Sequence, residues 1–222
     1  MLSSTREKAI ETELNEAAAA GFTPIEVLLS QDARRGISVL LGPKFAATAI
    51  LGRRVNDPPP AGGREYKFLG TSKVSTMERE INQATKEGYR LYFCASTLVA
   101  LMYKDRGAMG PAPYQYKLLA TNKTGTMQKE LSDQGRLGYR YLATTSGLGG
   151  LTTVLERDLK LDEKESRRDY KLIAASREQT TQTEITEALA AGYQLLDLTT
   201  FGKFIAVLGR KSEEAPAKVS TP

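Results

Sequence analysis

The sequence predicts an α+β protein built of tandem β-α-β-β repeats, with mainly antiparallel sheets and one helix per repeat. Three observations predict it. A Glu followed by Leu or Ile recurs ahead of a Gly-aromatic pair: Glu13-Leu14 before Gly21-Phe22, Glu80-Ile81 before Gly88-Tyr89, Glu130-Leu131 before Gly138-Tyr139, and Glu184-Ile185 before Gly192-Tyr193. Three copies open on Tyr-Lys, at Tyr66-Lys67, Tyr116-Lys117 and Tyr170-Lys171, each at the same distance from its glycine. Between these landmarks the hydrophobic period changes from strand-like to helix-like and back. Self-similarity at a fixed interval is the signature of a repeat architecture.

The third copy shows the elements in order. Tyr116 to Thr121 is a short apolar run of strand character. Asn122-Lys123-Thr124-Gly125 reads as a turn. Thr126 to Leu137 has helical spacing and stops at Gly138. Tyr139 to Thr144 is a second strand, Ser146 to Gly150 a hairpin turn, and Leu151 to Arg157 a third strand. Helix starts are expected at Thr76, Thr126 and Thr180, with Glu78, Gln128 and Gln182 completing capping-box chemistry. Ile10, Leu14 and Ala17, then Met77, Ile81 and Ala84, fall on one helix face. Met127 and Leu131, and Ile185 and Ala188, repeat the stripe, which Gln134 and Thr181 interrupt. Gly21, Gly88, Gly138 and Gly192 are expected just past their helices with positive φ. A phosphate-holding role is rejected, because phosphate sites use helix starts.

The first strands alternate Tyr66, Phe68 and Gly70 with Lys67 and Leu69, and the later copies follow suit. The last strands are apolar on both faces, as in Phe204 to Leu208. One helix covers one side of a three-stranded sheet, so the other side also needs cover. The repeats are therefore expected to pack on one another through their sheets. The first repeat is expected to lack its opening strand, since its Tyr would fall before Met1. That leaves either a lost strand or a start lying upstream, which could carry a signal peptide. The expected organisation is repeat 1 at 1–57 with an insertion at 30–46, repeat 2 at 64–106, repeat 3 at 114–158, repeat 4 at 168–211, and a disordered tail at 212–222. The Pro/Gly segments Asn56 to Gly63 and Gly107 to Pro113 read as linkers.

Composition narrows the function. The chain has 222 residues, 41% of them hydrophobic, and a formal charge of +5 without a strongly one-signed segment. It has no His, no Trp and one cysteine, Cys94. An internal disulfide is excluded, and the commonest general base and zinc ligand are missing. No apolar run is long enough to span a membrane as a helix. No Ser-His-Asp set, phosphate loop or metal cluster stands out, so no catalytic, cofactor or metal residues are assigned.

The opening Tyr-Lys, the Gly-aromatic centre and the Arg or Lys close resemble a small bacterial family of unknown function. Its members carry Tyr-Glu-Tyr-Lys, Gly-Trp-Glu-Leu and Lys-Arg at these places. The parallels here are Glu65-Tyr66-Lys67, Gly88-Tyr89-Arg90-Leu91 and Arg210-Lys211, with Tyr or Phe in place of the family's Trp. The resemblance implies a small α+β unit and supplies no activity.

The residues singled out are the structural motif: Gly21, Gly88, Gly138, Gly192, Tyr66, Tyr116, Tyr170, Glu80, Glu130 and Glu184. The glutamates are expected on helix surfaces, paired with a repeated base such as Lys67, Lys117 or Lys171. Tyr89, Tyr139 and Tyr193 offer a stacking platform or, more simply, core. The sequence points to a non-catalytic binding or scaffolding protein with an unidentified protein partner. The alternatives are a nucleic-acid binder and an enzyme with an unorthodox site. Compartment is left open: exported if a signal peptide precedes this chain, otherwise cytoplasmic.

Overall fold

The computed structural model describes residues 2–4, 7–31, 45–53, 63–71, 73–95, 99–121, 123–147 and 150–212. Most of the insertion at 30–46 and nearly all of the tail lie outside them. The elements run β1 (Leu2–Ser4), α1 (Glu7–Ala19), β2 (Thr23–Gln31), β3 (Phe45–Gly52), β4 (Arg64–Gly70), α2 (Val74–Lys86), β5 (Arg90–Ala95) and β6 (Val99–Asp105). They continue with β7 (Tyr114–Thr121), α3 (Thr124–Arg136), β8 (Arg140–Gly147), β9 (Gly150–Asp158), α4 (Glu163–Ser166), β10 (Arg168–Ala175), α5 (Glu178–Ala190), β11 (Gln194–Thr200) and β12 (Phe204–Lys211). They form an α+β fold with four antiparallel sheets of three strands, ordered β1-β3-β2, β4-β6-β5, β7-β9-β8 and β10-β12-β11. The last strand of each repeat is therefore central, which explains why it is apolar on both faces.

The first sheet also has three strands. The opening strand expected to be absent is a short one: Leu2, Ser3 and Ser4 pair with Ala49, Thr48 and Ala47 of β3. The helices stop where the motif stops them, two residues before glycines with φ of 83°, 92°, 82° and 84° at Gly21, Gly88, Gly138 and Gly192. Their starts differ from the expected capping boxes. The N-cap residues are Lys73, Lys123 and Arg177, without side-chain caps. The hydroxyls of Thr71 and Thr121 accept from the Lys73 and Lys123 amides at 3.3 and 3.2 Å, so threonine chemistry shapes the approach to α2 and α3. Thr124 and Gly125, read as turn, form the first turn of α3.

The chain divides into two compact units, 1–114 and 115–222. In the first, Ile10, Leu14 and Ala18 of α1 pack with Tyr66 and Phe68 of β4 and Val99 and Leu101 of β6. Met77, Ile81 and Ala84 form the buried stripe of α2. In the second unit, Met127 and Leu131 of α3 pack with Leu151 and Leu155 of their own sheet and with Tyr170, Ile205 and Val207 of the next. Ala188 of α5, with Ile185 beside it, packs with Ile173, Ala206 and Leu208. Alternation puts Ile173 and Ala206 on the face opposite Leu172 and Val207. Cover for the second sheet face thus comes from the preceding repeat's helix, where the sequence had suggested sheet against sheet. Such a helix serves two sheets, which is why one helix per repeat suffices.

The same helices close strand edges. β4 pairs only with β6, leaving the outward amides of Tyr66 and Phe68 without a strand partner. Asn15 of α1 accepts from the Tyr66 amide at 2.8 Å and donates to the Tyr66 carbonyl at 2.9 Å, and Glu11 accepts from the Phe68 amide at 3.0 Å. In the second unit Gln128, at the repeat position of Glu11, donates to the Tyr170 carbonyl at 2.8 Å and accepts from the Leu172 amide at 2.5 Å. Ser132, at the position of Asn15, accepts from Gln128 at 2.9 Å. Unpaired strand edges invite foreign strands, and here side chains occupy them.

Candidate interaction surface

The recurrent basic residues gather around the aromatic that follows three of the repeat glycines. The Arg53 guanidinium lies 5.4 Å from the Phe22 ring centre, Lys104 Nζ lies 4.4 Å from that of Tyr89, and Arg210 lies 4.6 Å from that of Tyr193. Acids of the opening motif complete the clusters. The Tyr89 hydroxyl donates to Glu65, Lys104 pairs with Glu65 at 3.3 Å, and Arg210 pairs with Asp169 at 3.4 Å. The Tyr89 hydrogen bond, and then Lys104, hold Glu65 below the usual carboxylate range. Burial, and then Glu65, push the Tyr89 phenol up. In the second and fourth repeats the opening acid, the Gly-aromatic centre and the closing base are thus three parts of one contact, though they are far apart in sequence. Cation–π pairs at this exposure contribute about 0.5–1 kcal/mol, which suits a structural role.

The repeated helical glutamates do otherwise. Glu80, Glu130 and Glu184 sit half-buried on α2, α3 and α5 and form no ion pair with the repeated lysines among the described residues. Lys67 pairs with Glu87 at 2.6 Å, past the end of α2. One Glu130 oxygen is buried without a hydrogen-bond partner. Tyr89 and Tyr139 are buried, so their rings offer no open stacking platform.

The opening tyrosines are among the most buried side chains, and their hydroxyls have different partners. Tyr170 donates to the Tyr139 carbonyl at 2.9 Å and accepts from the Tyr141 amide at 2.7 Å, and burial pushes its phenol up to about 12. Tyr116 donates at 2.6 Å to Glu156, a carboxylate 1% exposed that also accepts from Arg140 at 2.9 Å. The Tyr66 hydroxyl lies beside the Arg64 guanidinium and makes no bond of the kind that ties Tyr170 to the preceding repeat. The residue at the place of Tyr141 is Pro24, which has no amide hydrogen to give.

A depression of about 370 Å³ is lined by Glu11, Thr12, Asn15, Glu16, Ala19 and Arg106. Two of those side chains, Glu11 and Asn15, are already bonded to β4. Among the described residues no three His, Cys, Asp or Glu side chains gather as a metal site. Cys94 is buried, and burial pushes its thiol up to about 12. Among the described residues, no helix is long and apolar enough to cross a membrane.

Sequence reasoning missed a feature common to all four sheets. The pairing register slips by one residue at Ile25, Tyr92, Leu142 and Leu196, four positions after each repeat glycine. Such a β-bulge turns the strand and re-aims its side chains. The signal was a large apolar residue at that place in every copy. In β8 the bulge leaves Tyr141 and Thr144 on one face. The Tyr141 hydroxyl donates to Asp197 of β11, and the Thr144 amide donates to the same carboxylate at 3.2 Å. Burial and Asp197 raise the Tyr141 phenol. The corresponding residues of β11 are Leu195 and Leu198, which are 43% and 52% exposed. Leu189, Leu196 and Phe201 are exposed nearby in sequence. This concentration of open apolar side chains in the last repeat is the candidate surface.

Comparison of the chain with protein-family models, curated proteins and solved structures finds no match. The likeness to the bacterial family rests on its motifs alone.

Proposed function

We propose that the protein is a non-catalytic binding or scaffolding protein, and that it binds through the last repeat. The observation that carries this reading is the exposure of Leu195 and Leu198 at positions where the preceding repeat holds its neighbour. The recurrent charged residues support it by being turned inward: Lys104 and Arg210 face rings and acids of their own repeats. A nucleic-acid role gains little from Lys67 and Tyr89, whose charge and ring lie 5.3 Å apart, with Lys67 bonded to Glu87.

A photo-crosslinking residue at position 198 tests the reading in extract from the source cells. Position 109, where Met109 is 96% exposed, is the control. The expected result is a discrete protein adduct from 198 and none from 109. Equal labelling at both positions, or none at 198, contradicts it.

A further inference from the structure

In the second unit, the third repeat holds the fourth through Tyr141 and Thr144, both bonded to Asp197. One repeat later the same strand positions carry Leu195 and Leu198, paired in register with Leu208 and Ala206. Leu208 and Ala206 belong to the core that α5 covers, so both leucines lie on the α5 side of the sheet. We propose that this α5–β11 face binds a second copy of this chain across a two-fold axis. The proposal rests on the binding role above and names the partner.

Continuity with an existing interface identifies the occupant. The equivalent positions of β8 already join one repeat of this chain to another, so the face extends a contact between units of its own kind. Loss of the Tyr141 hydroxyl changes what fits there, since Leu195 has no side-chain hydrogen to give an acid. The two open leucine side chains call for apolar cover.

Leu189 sets the arrangement. Inside the second unit, β10 crosses α3 at Gly135, where an added Cβ would lie 2.3 Å from the Arg168 carbonyl oxygen. The first unit has Ala18 at that place, buried in the α1–β4 core. The corresponding residue of α5 is Leu189, 47% exposed. A strand arriving on α5 as β10 arrives on α3 would strike its side chain. Head-to-tail growth in the internal geometry is therefore closed. A two-fold contact avoids that collision, presents leucine to leucine and buries no formal charge from Leu189, Leu195 or Leu198.

Sedimentation velocity on the full chain, from about 1 to 100 μM, tests this. The variants are Leu195→Asp/Leu198→Asp, Leu198→Lys alone, and Leu161→Asp at an exposed site elsewhere in the unit. Circular dichroism melts check that each is folded, and Leu198→Lys carries the test if the double variant does not fold. Expected are a dimer for the parent and for Leu161→Asp, and association weakened about tenfold or more, towards monomer, for the face variants. A parent that stays monomeric, a dimer indifferent to the face variants, or a ladder of growing oligomers overturns the proposal. A monomeric parent that still crosslinks a different protein at position 198 removes the dimer and leaves the binding role standing.

Discussion

The Tyr66 and Tyr170 rings occupy the same place in their repeats, yet only Tyr170 has a hydroxyl partner on both sides. Tyr170→Phe removes two hydrogen bonds and leaves the Tyr141 amide unpaired, so it is expected to destabilise by about 1–3 kcal/mol. Tyr66→Phe removes only a hydroxyl contact with the partly exposed Arg64 and is expected to cost less than about 1 kcal/mol. Urea denaturation of both variants checks this, and equal losses would contradict the role given to Pro24. Buried acids add a pH dependence. The Cys94 thiol and the Tyr170 phenol are each raised from ordinary values of 9.0 and 10.0 to about 12. The unfolded chain releases these protons first, so their contribution is complete below pH 9 and is lost as pH climbs towards 12. The urea midpoint is expected to fall between pH 8 and pH 11; an unchanged midpoint counts against burial of these groups.

Helix α3 contains two glycines with opposite surroundings. Gly125 in its first turn has open space where a Cβ would go, whereas Gly135 has the β10 backbone there. Gly125→Ala is expected to stabilise by about 0.5–1 kcal/mol through helix propensity. Gly135→Ala gains the same propensity but must push β10 away, with a net loss of about 1–3 kcal/mol. Thermal melts that move in the same direction for both would refute the close approach of α3 to β10. Element positions were legible in the sequence because the Glu, Gly-aromatic and Tyr-Lys landmarks each fix one end of an element. Helix starts were misplaced because Thr76, Thr126 and Thr180 resemble caps, while the chain turns into the helix at Lys73, Lys123 and Arg177. The bulges were missed because Ile25, Tyr92, Leu142 and Leu196 suit a regular strand as well as a bulged one.

At the scale of the whole molecule, the second apolar face of each sheet was legible, but what covers it was not. Periodicity shows that Phe68 and Leu101 need a neighbour and cannot show that it is the helix of the repeat before. The clamp was hidden for the same reason: Glu11, Asn15 and Gln128 look like ordinary helix-surface residues until a strand edge lies beside them. The candidate surface was equally silent, since Leu195 and Leu198 resemble buried strand residues, and only the structure shows them exposed. The central claim is that each unit stands because one repeat's helix both covers and seals the next repeat's sheet. Amide hydrogen exchange at Tyr66, Phe68 and Leu172 tests it most directly, because these amides face away from the strands β6 and β12 that pair with their own. Strong protection is expected at all three. Asn15→Ala should accelerate exchange at Tyr66, and Gln128→Ala should do so at Leu172, while central-strand amides such as Leu101 and Val207 stay protected. Exchange at Tyr66, Phe68 and Leu172 as fast as in open loops of the folded parent would contradict the account.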